Sequence, residues 1–194
     1  MTDAAEAPAR ANDRFVPGQP DMWAFVLFEA FLFTAYFTVY VVGRARSPAA
    51  FLESQSHLDL RVGVFNTLVL LASSWSVARC VQASREHSYR SATANALLTL
   101  LLGFVFLVSK VREWGAEIGQ GFTFTADGFF SFYYFLTGLH FLHLLIGFVF
   151  LGVAIHRLRS PARRDHEIVE TCATYWHTVD FLWVLIFALL YVVR

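Results

Sequence analysis

The chain has 194 residues, of which 57% are hydrophobic and 15% charged, a balance that is apolar-rich and charge-poor beside a water-soluble domain. Fifteen basic and fifteen acidic residues cancel to a formal charge of zero, so no global basic field argues for nucleic acid as a partner. Composition therefore points to a chain whose solvent is a membrane. The two cysteines, Cys80 and Cys172, fall inside or at the edge of apolar segments without zinc or redox spacing. Free buried thiols are the expected state.

The first 20 residues, "MTDAAEAPARANDRFVPGQP", mix both charge signs with several prolines and read as a mobile tail. No short apolar core with an A-x-A cleavage site follows the charges, so a signal peptide is not expected. From there to residue 194 the chain offers five segments near the roughly 20 apolar residues that a spanning helix needs, giving an all-α polytopic bundle as one domain over residues 21–194. The spans are placed near Met22–Val42, Arg61–Ala83, Ala92–Val111, Gly128–Ile155 and Val169–Val193. Between them, stretches such as "GRARSPAAFLESQSHLD" and "RLRSPARRDHE" read as loops.

Each span carries polar groups that hydrocarbon should exclude, because an ionisable side chain there costs several kcal/mol unless it is neutral or partnered. In the first span Glu29 stands seven residues past Met22, about 10 Å into the layer. A protonated carboxyl donating one hydrogen bond is the expected resting form, either as an interhelical tie or as a proton-active or lipid-sensing group. The third span ends in "VSKVREW", where Lys110 is expected to snorkel and Glu113 and Trp114 to sit at the interface, as does Trp23 at the start of the first span. Trp75 reads as a further belt residue, whereas Trp176 and Trp183 are expected against protein.

The fourth span places His140 and His143 three residues apart in "FYYFLTGLHFLHLLIGF", and the fifth places Glu170, Thr174, His177 and, one turn on, Asp180 or Phe181 on one stripe in "ETCATYWHTVDFLW". If these two spans lie antiparallel, equal depth pairs positions whose numbers sum to roughly 324. His143 then lies level with Phe181 and near Asp180, His177 lies near Gly147, and Gly138, Gly147 and Gly152 are expected to let a partner backbone approach. Three readings of the histidines stay open: hydrogen-bonded ties to Asp180, Glu170 or Thr137, proton handling, and metal or haem ligation. The metal reading lacks a carboxylate at ligand spacing, such as H-E-x-x-H, and large side chains crowd each histidine. Serine-nucleophile, P-loop and dinucleotide motifs are absent from the sequence, so independent catalysis is not expected.

An inside amino terminus puts Arg10, Arg14, Arg79, Arg85, Arg90, Arg157, Arg159, Arg163 and Arg164 on the cytoplasmic side, against Arg44, Arg46, Arg61, Lys110, Arg112 and Arg194 outside. Nine against six favours a cytoplasmic amino terminus and an external carboxyl terminus.

Two long motifs carry a resemblance. Thr137, Gly138, His140, His143 and Gly147 match T-G-x-H-x-x-H-x-x-x-G, and Glu170 followed by Tyr175, Trp176, His177, Val179, Asp180 and Trp183 matches E, then Y-W-H-x-V-D-x-x-W. In this the chain resembles subunit III of the haem–copper cytochrome c oxidases. Glu29 in "FVLFEAFLF" looks like that family's membrane-buried, carbodiimide-reactive glutamate, and Glu113 with Trp114 matches its E-Y/W element. The mitochondrial form has seven helices, so five spans resemble a short bacterial form. The stretch "PDMWAFVLFEAFLF" is also similar to subunit III-like chains encoded with bacterial nitric oxide reductases.

The resemblance implies a non-redox accessory subunit in the bacterial plasma membrane. It implies contact with catalytic subunit I and the other oxidase subunits, support of proton uptake and bound phospholipid, with haem and copper held by the partners. A nitric oxide reductase subunit is the alternative. From the residues alone, a free-standing proton channel around Glu29, His140, His143, His177 and Asp180, or a cytochrome b-like haem protein, would be the other classes.

Overall fold

A computed structural model describes residues 20–160 and 165–193. The expected tail therefore lies outside the described residues except for Pro20, as do Arg163, Arg164 and Arg194. The chain forms α1 (Pro20–Arg46), α2 (Pro48–Ser56), α3 (Leu60–Arg85), α4 (Tyr89–Gly119), α5 (Gly128–Arg159) and α6 (His166–Phe187), which runs on into a π-helical turn at Ala188–Val192. Five of these helices are long and apolar enough to cross a membrane, and each falls on an expected span.

The helix starts follow from local chemistry. Asp59, Asp127 and Asp165 each accept a hydrogen bond from a backbone amide of the first turn that follows, those of Arg61, Phe130 and Glu167, which satisfies donors that a helix cannot. Between α3 and α4 only Glu86, His87 and Ser88 intervene, and His87 takes a left-handed φ of 59° to close the turn. The two helices are thereby held antiparallel.

α6 is the hub of the bundle: half of its apolar stretch is buried, against a third or less in every other span. Trp176 and Trp183 are fully buried on it, as expected. A Cβ added at Gly103 of α4 would lie 2.9 Å from the Trp176 ring, one at Gly147 of α5 3.0 Å from the same ring, and one at Gly63 of α3 2.8 Å from Tyr191. These three glycines are where neighbouring backbones close on α6. Gly138 and Gly152, expected to do the same, face open space. Outward, α1 shows Leu27, Phe28 and Phe31 more than half exposed, as befits a surface whose solvent is lipid.

Two sequence expectations need correction. The stretch after α1, read as a loop, contains α2. Its Pro48 suits the first helical turn, and its Phe51, Ser54 and Gln55 are buried. Gln55 Nε2 donates to the carbonyls of Leu190 (3.1 Å) and Val193 (2.9 Å), while Tyr40 reaches Leu189 O and Arg44 reaches Val193 O. The orphan carbonyls of the last turn of α6 are thus capped by side chains of α1 and α2. The third span also does not end at Val111. α4 continues to Gly119, with Lys110, Glu113 and Glu117 turned inward and buried.

Candidate functional site

Glu29 on α1 is 7% exposed, and its Oε2 lies 3.2 Å from Nε2 of His143 on α5. The other ring nitrogen of His143, Nδ1, is 2.8 Å from the Leu139 carbonyl oxygen. A carbonyl only accepts, so Nδ1 carries a hydrogen and Nε2 is left to face Glu29. One further proton lies between them, on the carboxyl as an acid donating to Nε2 or on the ring as an imidazolium donating to the carboxylate. Both arrangements are net neutral, which is what makes the pair tolerable inside a bilayer. Phe33 closes the site edge-on at 5.8 Å, and Tyr175 of α6 donates its hydroxyl to the His143 carbonyl at 3.0 Å.

The expected contact of His143 with Asp180 or His177 is not formed. α5 and α6 do meet near the expected level, since Gly147 lies against Trp176, but the Trp176 ring fills that space and His143 points away to α1. The polar stripe of α6 faces α3 instead. Glu170 pairs with Arg85 Nε at 2.7 Å, the Ser74 hydroxyl and His177 Nδ1 are 2.7 Å apart, and Asp180 Oδ2 is 3.4 Å from Ser73 Oγ. The two tryptophans join the same seam, Trp176 Nε1 donating to Ser73 Oγ at 3.0 Å and Trp183 Nε1 to Thr67 Oγ1 at 3.1 Å. Phe181, allowed on the stripe by spacing, is 61% exposed. The serines of α3 could have been read as this seam, because Thr67, Ser73, Ser74 and Ser76 recur within an otherwise apolar span.

His140 is enclosed by Phe106 at 5.5 Å and Trp183 at 5.1 Å, and neither of its ring nitrogens has a hydrogen-bond partner. Thr137, proposed from the sequence as a partner for the histidines, instead donates to the Tyr133 carbonyl at 2.6 Å and accepts from Trp114 Nε1 at 3.2 Å. His140, His143 and His177 therefore face three different neighbours and do not converge on one point.

The largest departure is at the far end of α4. Lys110, expected to snorkel, is 0% exposed. Its Nζ donates to Glu113 Oε2 (3.1 Å), Tyr133 OH (3.2 Å) and Tyr191 OH (2.7 Å) and lies 5.3 Å from the Trp183 ring. Glu113, expected at the interface, is 8% exposed and accepts from Tyr133 at 3.1 Å and from Tyr191 on Oε1. The sequence signal was the spacing of Lys110, Glu113 and Glu117, which puts three charges on one helical face. Trp114 is half-buried, held by the Thr137 bond, and Trp23 at 38% and Trp75 at 65% exposure suit the membrane-facing surface.

The site is thus a set of short polar ties across a greasy bundle, able to hold protons and to fix helices against one another. Among known sequences, the sequence model of "Cytochrome c oxidase subunit III" matches residues 19–193. Cytochrome c oxidase subunit 3 of Synechocystis sp. is 31% identical over 196 residues, covering 93% of this chain and 82% of the relative. A probable cytochrome c oxidase subunit 3 of Nocardia farcinica is 31% identical over 86% of this chain and 83% of its own. The subunit of Mycosarcoma maydis is 34% identical over 66% of this chain but only 46% of its own length, so that relative extends well beyond the shared region. With five apolar helices, interhelical polar pairs and a match over nearly its whole length, the chain is a multi-pass membrane protein that belongs to the cytochrome c oxidase subunit III family.

Proposed function

We propose that the chain is a non-redox accessory subunit of a respiratory haem–copper oxidase of the cytochrome c oxidase type, carrying no catalysis of its own. The observation that carries this reading is the family match over residues 19–193. In support, Glu29, His143, Glu170 and His177 each have a polar partner within the bundle, which suits a chain whose polar groups steady helices and proton positions rather than ligate a redox centre. On this reading haem and copper reside in catalytic subunit I, and phospholipid covers the exposed faces. The Glu29–His143 pair is the proton-active element.

The bacterial plasma membrane is the proposed location, with the amino terminus cytoplasmic. The burial of Lys110 strengthens the charge argument, because it removes one cation from the outer side. The test is affinity purification of the tagged chain from native membranes in mild detergent, with its partners identified and their haems read by absorption. Co-purification of a haem–copper catalytic subunit is expected. Isolation without any haem-containing partner overturns the reading, and a nitric oxide reductase partner replaces it with the alternative complex.

A further inference from the structure

The Lys110 cluster has an unbalanced member. Glu113 has both oxygens occupied, Oε2 by Lys110 and Oε1 by the hydroxyls of Tyr133 and Tyr191. One turn on, Glu117 is 5% exposed and its Oε2 is buried without any hydrogen-bond partner. The charged groups facing Glu117 are Glu113 and Lys110 on its own helix and His57 from the turn between α2 and α3. On α5, Tyr133 and Tyr134 face both glutamates, and Tyr191 from the end of α6 faces Glu113. His57 is exposed and its ring lies 4.3 Å from that of Phe122, whose amide donates to the Glu117 carbonyl at 3.0 Å.

Two carboxyls therefore share one buried ammonium. A single proton makes the set neutral, and an uncompensated buried charge is strongly disfavoured. That proton has no room on Glu113, whose oxygens already accept three donors, so it belongs to Glu117. We propose that Glu117 is the proton-holding group of a second protonatable site, built with Lys110, Glu113, Tyr133 and Tyr191 at the α2 end of the bundle and exchanging protons with water beside His57. On loading, an acid in the water gives its proton to the Glu117 carboxylate. One O–H bond forms and the donor's breaks. Release is the reverse and leaves the cluster with one net negative charge. The site is separate from the Glu29–His143 pair and does not depend on which complex the chain joins.

The test is pH-stepped infrared difference spectroscopy, in light and heavy water, of the full chain in lipid nanodiscs. A carbonyl stretch from a protonated carboxyl is expected to titrate, to be lost in Glu117→Gln and to persist in Glu29→Gln. Lys110→Met should add a second such band, because Glu113 then loses its counter-ion and takes up a proton. A titrating band unchanged by Glu117→Gln, the absence of any such band, or no added band in Lys110→Met overturns the proposal. If Glu117→Gln does not fold, a hydrophobic carbodiimide is applied to the unaltered chain and the adducts are mapped by mass spectrometry. Modification at Glu117 supports the site; an unmodified Glu117 beside modified carboxyls elsewhere refutes it.

Discussion

Replacing Lys110 by methionine isolates the energetics of the buried ion pair, because methionine keeps the length of the stem and its packing while removing the charge. The wild-type ammonium is 0% exposed and sits 3.1 Å from Glu113 Oε2. At an effective dielectric of about 20 that separation corresponds to an attraction of about 5 kcal/mol, and removing one partner of a buried pair typically costs about 3–5 kcal/mol. The stranded carboxylate has an escape, since it can take up a proton. For an ordinary glutamic acid at neutral pH that costs about 4 kcal/mol, and the tyrosine hydroxyls remain to bond the neutral group.

The expected loss is therefore about 3–4 kcal/mol for Lys110→Met. Glu113→Leu with Lys110→Met should lose clearly less than the sum of the single changes, because no charge is left uncompensated. The assay is reversible unfolding in mixed micelles followed by circular dichroism, read as a double-mutant cycle. If the cycle closes with no coupling, or Lys110→Met costs less than about 0.5 kcal/mol, the buried pair is not what holds this end of the bundle.

Other expected outcomes follow from single contacts. Glu29→Gln should keep assembly and stability to within about 1 kcal/mol, since the amide still donates to His143 Nε2, while slower oxygen consumption by the assembled complex would mark the carboxyl as proton-active and an unchanged rate would leave it a tie. Glu29→Leu should cost about 1–3 kcal/mol in thermal unfolding by stranding that nitrogen. Gly103→Ala, whose Cβ would meet Trp176 at 2.9 Å, should destabilise by about 1–3 kcal/mol, whereas Gly138→Ala, facing open space, should be neutral or stabilising by up to about 1 kcal/mol; equal effects in unfolding experiments would contradict the packing of α4 on α6. Gln55→Leu removes the donor to Leu190 and Val193 and should speed proteolysis across residues 47–58, a change visible by mass mapping; unaltered cleavage would show that α2 is anchored by Phe51 alone.

Much of the chain could be read without coordinates. The number of spans follows from the solvent, because each apolar segment must satisfy its own backbone as a helix. The two long motifs of the fourth and fifth spans likewise point to the family before any contact is known. The spacing of Glu170, His177 and Asp180 also tells correctly that the three share a side of α6. What spacing does not tell is which neighbour that side meets. The stripe was expected to meet the histidines of α5, and it meets Arg85, Ser74 and Ser73 of α3.

The same gap explains Lys110. Local sequence places it near a span end, where a lysine ordinarily reaches for water. Glu113 lies one turn along the same helix, but only the arrival of Tyr133 and Tyr191 from two other stretches completes an interior where the charge is matched. Composition and period thus determined the solvent, the helices and their polar faces, since these depend on residues within a few positions of one another. The partners of Glu29, His143, Lys110 and Asp180 were decided by tertiary structure, because how each helix turns about its own axis is fixed by the packing of all the others at once.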